Sequence, residues 1–355
     1  MCCLAVLFTA CEDFATEDNP TPSYISINTS NVQLKLGDTF VRKAIVAGSA
    51  VVTYSSSDET IATVDQEGKV TGIAVGTATI TVEVTGYNAA GKKIYIPEEK
   101  SYKVTVSAAW AANEYNEASW DGTKVVFTKQ TAASVTPVTD ATANVTWGDG
   151  YYTVSGNVTI TGNVLLGADT HLILQDGAKL TINGRIYGDL KNLRIYGQAN
   201  QTGQLVVTAS GDGISSINTL EVHSCQVKST ASLDICGGFY YISTFNVYGG
   251  SVDAECTGNG YGICLASTSS MNIYGGEVKA VGKGNNNNFS YGIMSSTVTV
   301  YGGKLWAESA GYKALKSNIT LTKGGGFTGK IEYSSDKSAW SETVDNNAKY
   351  VRVGY

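Results

Sequence analysis

Histidine, proline and charge are all scarce in this chain. Two histidines in 355 residues leave little room for histidine-based catalysis. Charged residues make up 16% of the sequence, against roughly 25% in an ordinary soluble domain. Nor is there a basic excess: 25 Lys+Arg face 31 Asp+Glu, for a net charge of -6. That balance argues against a nucleic-acid partner, because phosphate binding needs a basic face. No apolar run reaches the roughly 18 residues of a membrane span. No phosphate loop, zinc-ligand spacing or nucleophile elbow occurs, and no cofactor is implied. What is abundant is glycine, 40 of 355 residues or about 11%, against a usual ~7%. Tyr, Thr, Ser, Val and Asn accompany it, which is the palette of strands and tight turns. Hydrophobic residues at 43% suffice for a core, so most of the chain is folded. The length allows two or three domains, and the expected class is all-β.

Residues 1–11 read MCCLAVLFTAC. An apolar stretch over 3–10 ends in small residues before a cysteine, as in a targeting segment. Leu7-Phe8-Thr9-Ala10-Cys11 resembles a bacterial lipobox, which implies that Cys11 is acylated and becomes the new N-terminus. The alternative is an ordinary secretory signal with an incidental cysteine. No Lys or Arg precedes Cys11, so the start of the signal is expected upstream of Met1. Residues 12–23 are acidic and contain Pro20 and Pro22, the composition of a solvated tether. Acidic residues just after an acylated cysteine also resemble the surface-export signals of some Gram-negative lipoproteins. The expected location is the outer membrane, facing outward, with the lipid on Cys11 as the only membrane attachment.

Residues 24–107 alternate at period two between turn signals, as in a β-sandwich. Ile25/Ile27, Val32/Leu34/Leu36 and the run TATITVEV at 77–84 carry the pattern. The string VTYSSSDETIATVDQEGKVTGIAVGTATITV contains, in order, an SSDxxIATVD run, a GxVTG turn and GTATIT. It resembles a group 2 bacterial Ig-like domain, a family whose members usually act as spacers or stalk units. Residues 87–97 look like a hairpin extension. Residues 108–150 form a junction and N-terminal cap, in which Trp110, Trp120 and Trp147 either close the next core or offer a sugar-stacking platform.

From residue 151 an internal repeat appears. LRIYGQ, LEVHSC, FNVYGG, MNIYGG and VTVYGG begin at Leu193, Leu220, Phe245, Met271 and Val298, with spacings of 27, 25, 26 and 27. Three short strands per repeat of about 26 residues, with no helical period between them, are a solenoid signature. The repeat resembles the carbohydrate-binding parallel β-helix domains of bacterial surface proteins, which implies a right-handed parallel β-helix over 151–326, of seven or eight coils. Residues 327–355 alternate again and are expected to cap the open end.

Within LRIYGQ and its relatives, positions one and three face the core, so positions two and four face outward. Position four holds Tyr196, His223, Tyr248, Tyr274 and Tyr301. Five rings in a row would offer flat apolar faces with polar tips, a candidate track for a polysaccharide. The alternative is that stacking merely stabilises the ladder. A second column, Tyr261, Tyr291 and Tyr312, has inward parity and reads as structural. The expected function is therefore a non-catalytic surface lipoprotein that binds glycan or adheres through its β-helix. The competing reading is a β-helix polysaccharide lyase or glycoside hydrolase, which needs clustered carboxylates or a calcium site. No Asp-Asp pair occurs in the repeat, and no catalytic or metal-binding residue is assigned. Cys225, Cys236, Cys256 and Cys264 are expected as packed free thiols, with Cys236 and Cys264 in one column.

Overall fold

A computed structural model describes residues 21–22, 25–46, 49–93, 95–107, 110–285, 289–316 and 319–355. The lipobox-like segment with Cys11 and most of the tether lie outside these residues. Every regular element among the described residues is a strand. The chain divides into two units, 1–109 and 110–355.

The first unit is a small sandwich. Its larger sheet orders Val32–Lys35, Glu98–Ser107, Gly76–Asn88 and Ala50–Ser56, and a three-stranded sheet holds Thr39–Val41, Lys69–Gly72 and Ala62–Val64. Period-two alternation packs Leu34, Val70, Ala78, Ile80, Tyr102, Val104 and Val106 into one core. Gly76–Asn88 and Glu98–Ser107 are antiparallel partners, and a turn in which Asn88 Oδ1 accepts the Ala90 and Lys92 N–H groups joins them. That turn is the tip of the expected hairpin extension.

The second unit is a parallel β-helix. One sheet stacks seven short strands in sequence order: Asn157–Thr161, Lys179–Asn183, Gln204–Ala209, Gln226–Ala231, Ser251–Cys256, Glu277–Gly282 and Lys304–Ser309. The other sheet carries the remaining segments of each coil. The solenoid makes about 6 turns, with rungs about 25 residues apart. The seven stacked strands make six rung-to-rung steps, fewer than the seven or eight coils expected. The end of the chain instead returns as an antiparallel pair, Ile331–Ser334 with Tyr350–Val353, laid against Lys304–Ser309.

Three segments per coil are present, but in the central coils two of them run on as one bent strand, as in Ile186–Gly197, Ile214–Val222, Gly237–Val247 and Tyr261–Ile273. In the first three of these the bend coincides with positive φ, at Leu190, Ser216 and Tyr241. Positions one and three of the repeat are fully buried, among them Leu193, Ile195, Phe245, Val247, Met271 and Ile273. They belong to one hydrophobic core that runs from Val138 to Val353. Trp147 is part of it, on a strand paired in parallel with Val164–Leu166. The solenoid thus begins inside the segment expected as a junction.

The third-segment alignment needs one correction. Ile214 pairs with Phe239, Phe239 with Ile263, and Ile263 with Ile293. Phe239, not Ile235, fills the apolar slot of that coil. Ile235 is exposed in a turn at φ 57, because the larger buried ring sets the register. Cys236 therefore does not share a column with Cys264, whose neighbour on the preceding coil is Tyr240.

The Tyr-Gly-Gly signature has a steric origin. Gly250, Gly276 and Gly303 have φ of 70, 72 and 73, a region that side chains disfavour. A Cβ at each would also run into a carbonyl oxygen of the coil before it, that of Cys225 in the case of Gly250.

Candidate functional site

The outward column continues past the five residues read from the repeat. Tyr151, His171, Tyr196, His223, Tyr248, Tyr274 and Tyr301 form one stack, with successive centroids 4.3, 5.9, 4.5, 5.1, 4.9 and 4.8 Å apart. Every interplanar angle is below 30°. At roughly 0.5–1.5 kcal/mol per aromatic contact, the ladder contributes several kcal/mol to the fold. Tyr151 and His171 were missed because they sit two positions away in register: His171 pairs with Arg194, not Tyr196. Their outward parity next to buried Leu172 was the available signal.

The expected open row of rings is not what forms. A hairpin, Glu114–Trp120 and Val125–Thr131, lies along the column and covers its first half. Its turn is fixed by Asp121, whose Oδ1 accepts the N–H groups of Thr123 and Lys124. The Tyr115 ring packs 4.4 Å from that of Tyr196, and its hydroxyl is 3.1 Å from the Tyr151 hydroxyl. The Ala118 N–H donates to His223 Nδ1 at 3.0 Å. Asn116 donates to the Gln198 carbonyl, and Gln198 returns bonds to Ala111 and Glu114. Tyr196 and His223 are consequently only 1% and 3% exposed. Neither can stack on a sugar while the hairpin is docked, and their place in the candidate track is withdrawn. Burial pushes the Tyr196 phenol well up and brings the His223 imidazole down to about 4.

The second half of the column stays partly open. Tyr248, Tyr274 and Tyr301 are half-buried. Trp120, at the end of the first hairpin strand, lies 5.6 Å from both Tyr274 and Tyr301. Together with Phe127, Thr123, Lys124, Gln201 and the Gly-Gly turns, these rings line a cleft of about 480 Å³. Beside the rings, position two forms a polar ladder. Arg194 and Glu221 pair at 2.8 Å, Asn246 donates to Glu221, and Asn272 donates to Asn246. The cleft itself combines aromatic rings with the Thr123 hydroxyl, the Lys124 ammonium and the Gln201 amide, the mixture that a neutral hydroxylated ligand requires.

Three acids of the repeat join one coil to the next. Asp169 accepts from Asn192, Asp176 from Asn200, and Asp234 from Asn259. The Asn192 and Asn259 bonds hold Asp169 and Asp234 below the usual carboxylate range. Among the described residues, no three His, Cys, Asp or Glu side chains group as metal ligands.

Residues 23–94 match the group 2 bacterial Ig-like domain, so the first unit is such a domain and the resemblance read from its sequence holds. No curated protein matches the chain. An Ig-like domain followed by a β-helix is a combination compatible with surface binding or adhesion.

Proposed function

We propose that the protein is a non-catalytic bacterial surface lipoprotein that binds a polysaccharide in the Trp120 cleft. In this reading Cys11 carries the anchor, the outer membrane is the location, and the Ig-like domain holds the β-helix away from it. The observation that carries the reading is the exposed end of the ring stack. Trp120, Tyr248, Tyr274 and Tyr301 meet in one cleft with polar groups at its rim. The tyrosine faces cover one another in the stack, so these rings turn their edges and hydroxyls to the cleft, and the tilted Trp120 indole is the ring that would take the C–H face of a pyranose.

A glycan array probed with residues 24–355 identifies the ligand class. Trp120→Ala and Tyr274→Ala should each weaken a hit by about 1 kcal/mol, roughly fivefold in Kd. Tyr115→Phe, at the covered end, should leave affinity unchanged. Equal affinity of wild type and the Trp120→Ala/Tyr274→Ala double variant would remove the cleft from this account. Appearance of new reducing ends or unsaturated products from the hit glycan would favour the enzymatic alternative.

A further inference from the structure

Two cysteines outside the aromatic site face each other. Cys236 Sγ and Cys256 Sγ lie 3.6 Å apart, 20 residues apart in sequence. Both thiols are also directed at one acceptor, the Leu233 carbonyl, at 2.6 and 3.5 Å. Cys256 ends the strand Ser251–Cys256, and Cys236 immediately precedes Gly237–Val247. The two residues therefore open and close a single turn of the solenoid and meet at its corner. With Ala231 they form a small cluster separate from the main core.

Cys225 and Cys264 are placed differently. Cys225 is fully buried, with its sulfur directed at the Ile195 carbonyl. Cys264 lies beside Tyr240 in the other sheet. Burial pushes both of these thiols up to about 12. At the corner the shared hydrogen bond splits the pair: it holds the Cys256 thiol below its ordinary value and, with burial, pushes the Cys236 thiol up.

We propose that Cys236 and Cys256 are an oxidation site that closes into an intrachain disulfide on contact with a disulfide-bearing oxidant. A bond needs sulfurs ~2.05 Å apart, so the pair must close by about 1.5 Å. Both thiols are buried, so the turn before Cys236 must open for the oxidant to enter. It is held by the Leu233 and Ile235 N–H bonds to the Ser210 and Asn259 carbonyls. Its Leu233 and Ile235 side chains are 59% and 56% exposed and leave no core packing to break. In the reaction, one thiolate attacks a sulfur of the oxidant and forms a mixed disulfide. One oxidant thiolate departs and takes up a proton. The second cysteine of the pair loses its proton, displaces the other half and completes the Cys236–Cys256 bond. Two protein thiols and one oxidant disulfide become one protein disulfide and two oxidant thiols, so electrons and protons balance.

The test is oxidation of the full chain with glutathione disulfide, alkylation in denaturant, and peptide mapping without reduction. The expected result is one linked peptide pair joining Cys236 to Cys256, two hydrogens lighter than the separate peptides. Cys225 and Cys264 should be recovered alkylated. Mapping also separates this pair from Cys2, Cys3 and Cys11. Cys236→Ser and Cys256→Ser should each abolish the linked pair, and Cys264→Ser should leave it intact. Recovery of Cys236 and Cys256 as alkylated thiols from the oxidised wild type would overturn the proposal. So would a linkage of either to another cysteine, or glutathione adducts on both.

Discussion

Acid should loosen the docking of the hairpin on the column through one imidazole. His223 Nδ1 accepts the Ala118 N–H, so the neutral ring carries its proton on Nε2, which makes no hydrogen bond. Protonating Nδ1 would turn an acceptor into a donor that faces a donor. Burial is the main cause that holds this group down to about 4 from 6.5, Arg194 adds to the depression, and Glu221 opposes it. The unfolded chain binds the proton first as pH falls, so stability is complete above about 6.5 and is lost between there and about 4. At 1.36 kcal/mol per unit, the gap corresponds to about 3 kcal/mol. Denaturant unfolding followed by tryptophan fluorescence across this window measures it, with Trp120 reporting on the hairpin. His223→Gln should lose most of the pH-dependent drop. A residual slope from His171, which burial also holds below its ordinary value, should remain. Carboxylate titration is common to both proteins and cancels in the comparison. Equal losses in wild type and His223→Gln would refute the reasoning.

Phe245→Ala, a fully buried ring 5.1 Å from that of Phe239, should cost about 3–5 kcal/mol in denaturant unfolding. Gly250→Ala should cost at least about 1–3 kcal/mol from its backbone conformation alone, and more from the overlap with the Cys225 carbonyl. Gly211→Ala, with open space around the added carbon, should stay within about 0.5 kcal/mol of wild type. Metabolic labelling with a fatty acid should mark the wild type and be lost in Cys11→Ser; equal labelling of both would remove the anchor.

The parity of the repeat made the core and the outward rings legible, because a strand buries alternate residues whatever lies outside it. Phe245/Val247 and Met271/Ile273 fell inside on that rule, and Tyr248 and Tyr274 fell outside. What parity could not reveal was the cover on the outer face. The hairpin meets Tyr196 and His223 across about eighty to one hundred residues of sequence, and no periodic signal links the two. Its own alternation at Val125-Val126-Phe127 was visible, its docking site was not. The cysteine pairing was obscured by a local slip. A turn apolar at Leu233 and Ile235 imitated a strand, which displaced the alignment by four residues and hid the meeting of Cys236 with Cys256.

The docked hairpin also sets a length standard for the repeat. Tyr115 rests on Tyr196, Ala118 binds His223, and Trp120 reaches Tyr274 and Tyr301. Five residues of extended chain cover about 17 Å, and three to four rungs at ~4.8 Å cover about 14–19 Å. The two scales agree across this stretch, so the strand acts as a gauge against which the coils are spaced. Solenoids usually tolerate gain or loss of a unit, since each touches only its neighbours. Here a coil inserted between Tyr196 and Tyr274 would leave Trp120 a full rung short of its seat. The region of freest duplication in this chain is therefore the stretch beyond Tyr301, past the reach of the gauge.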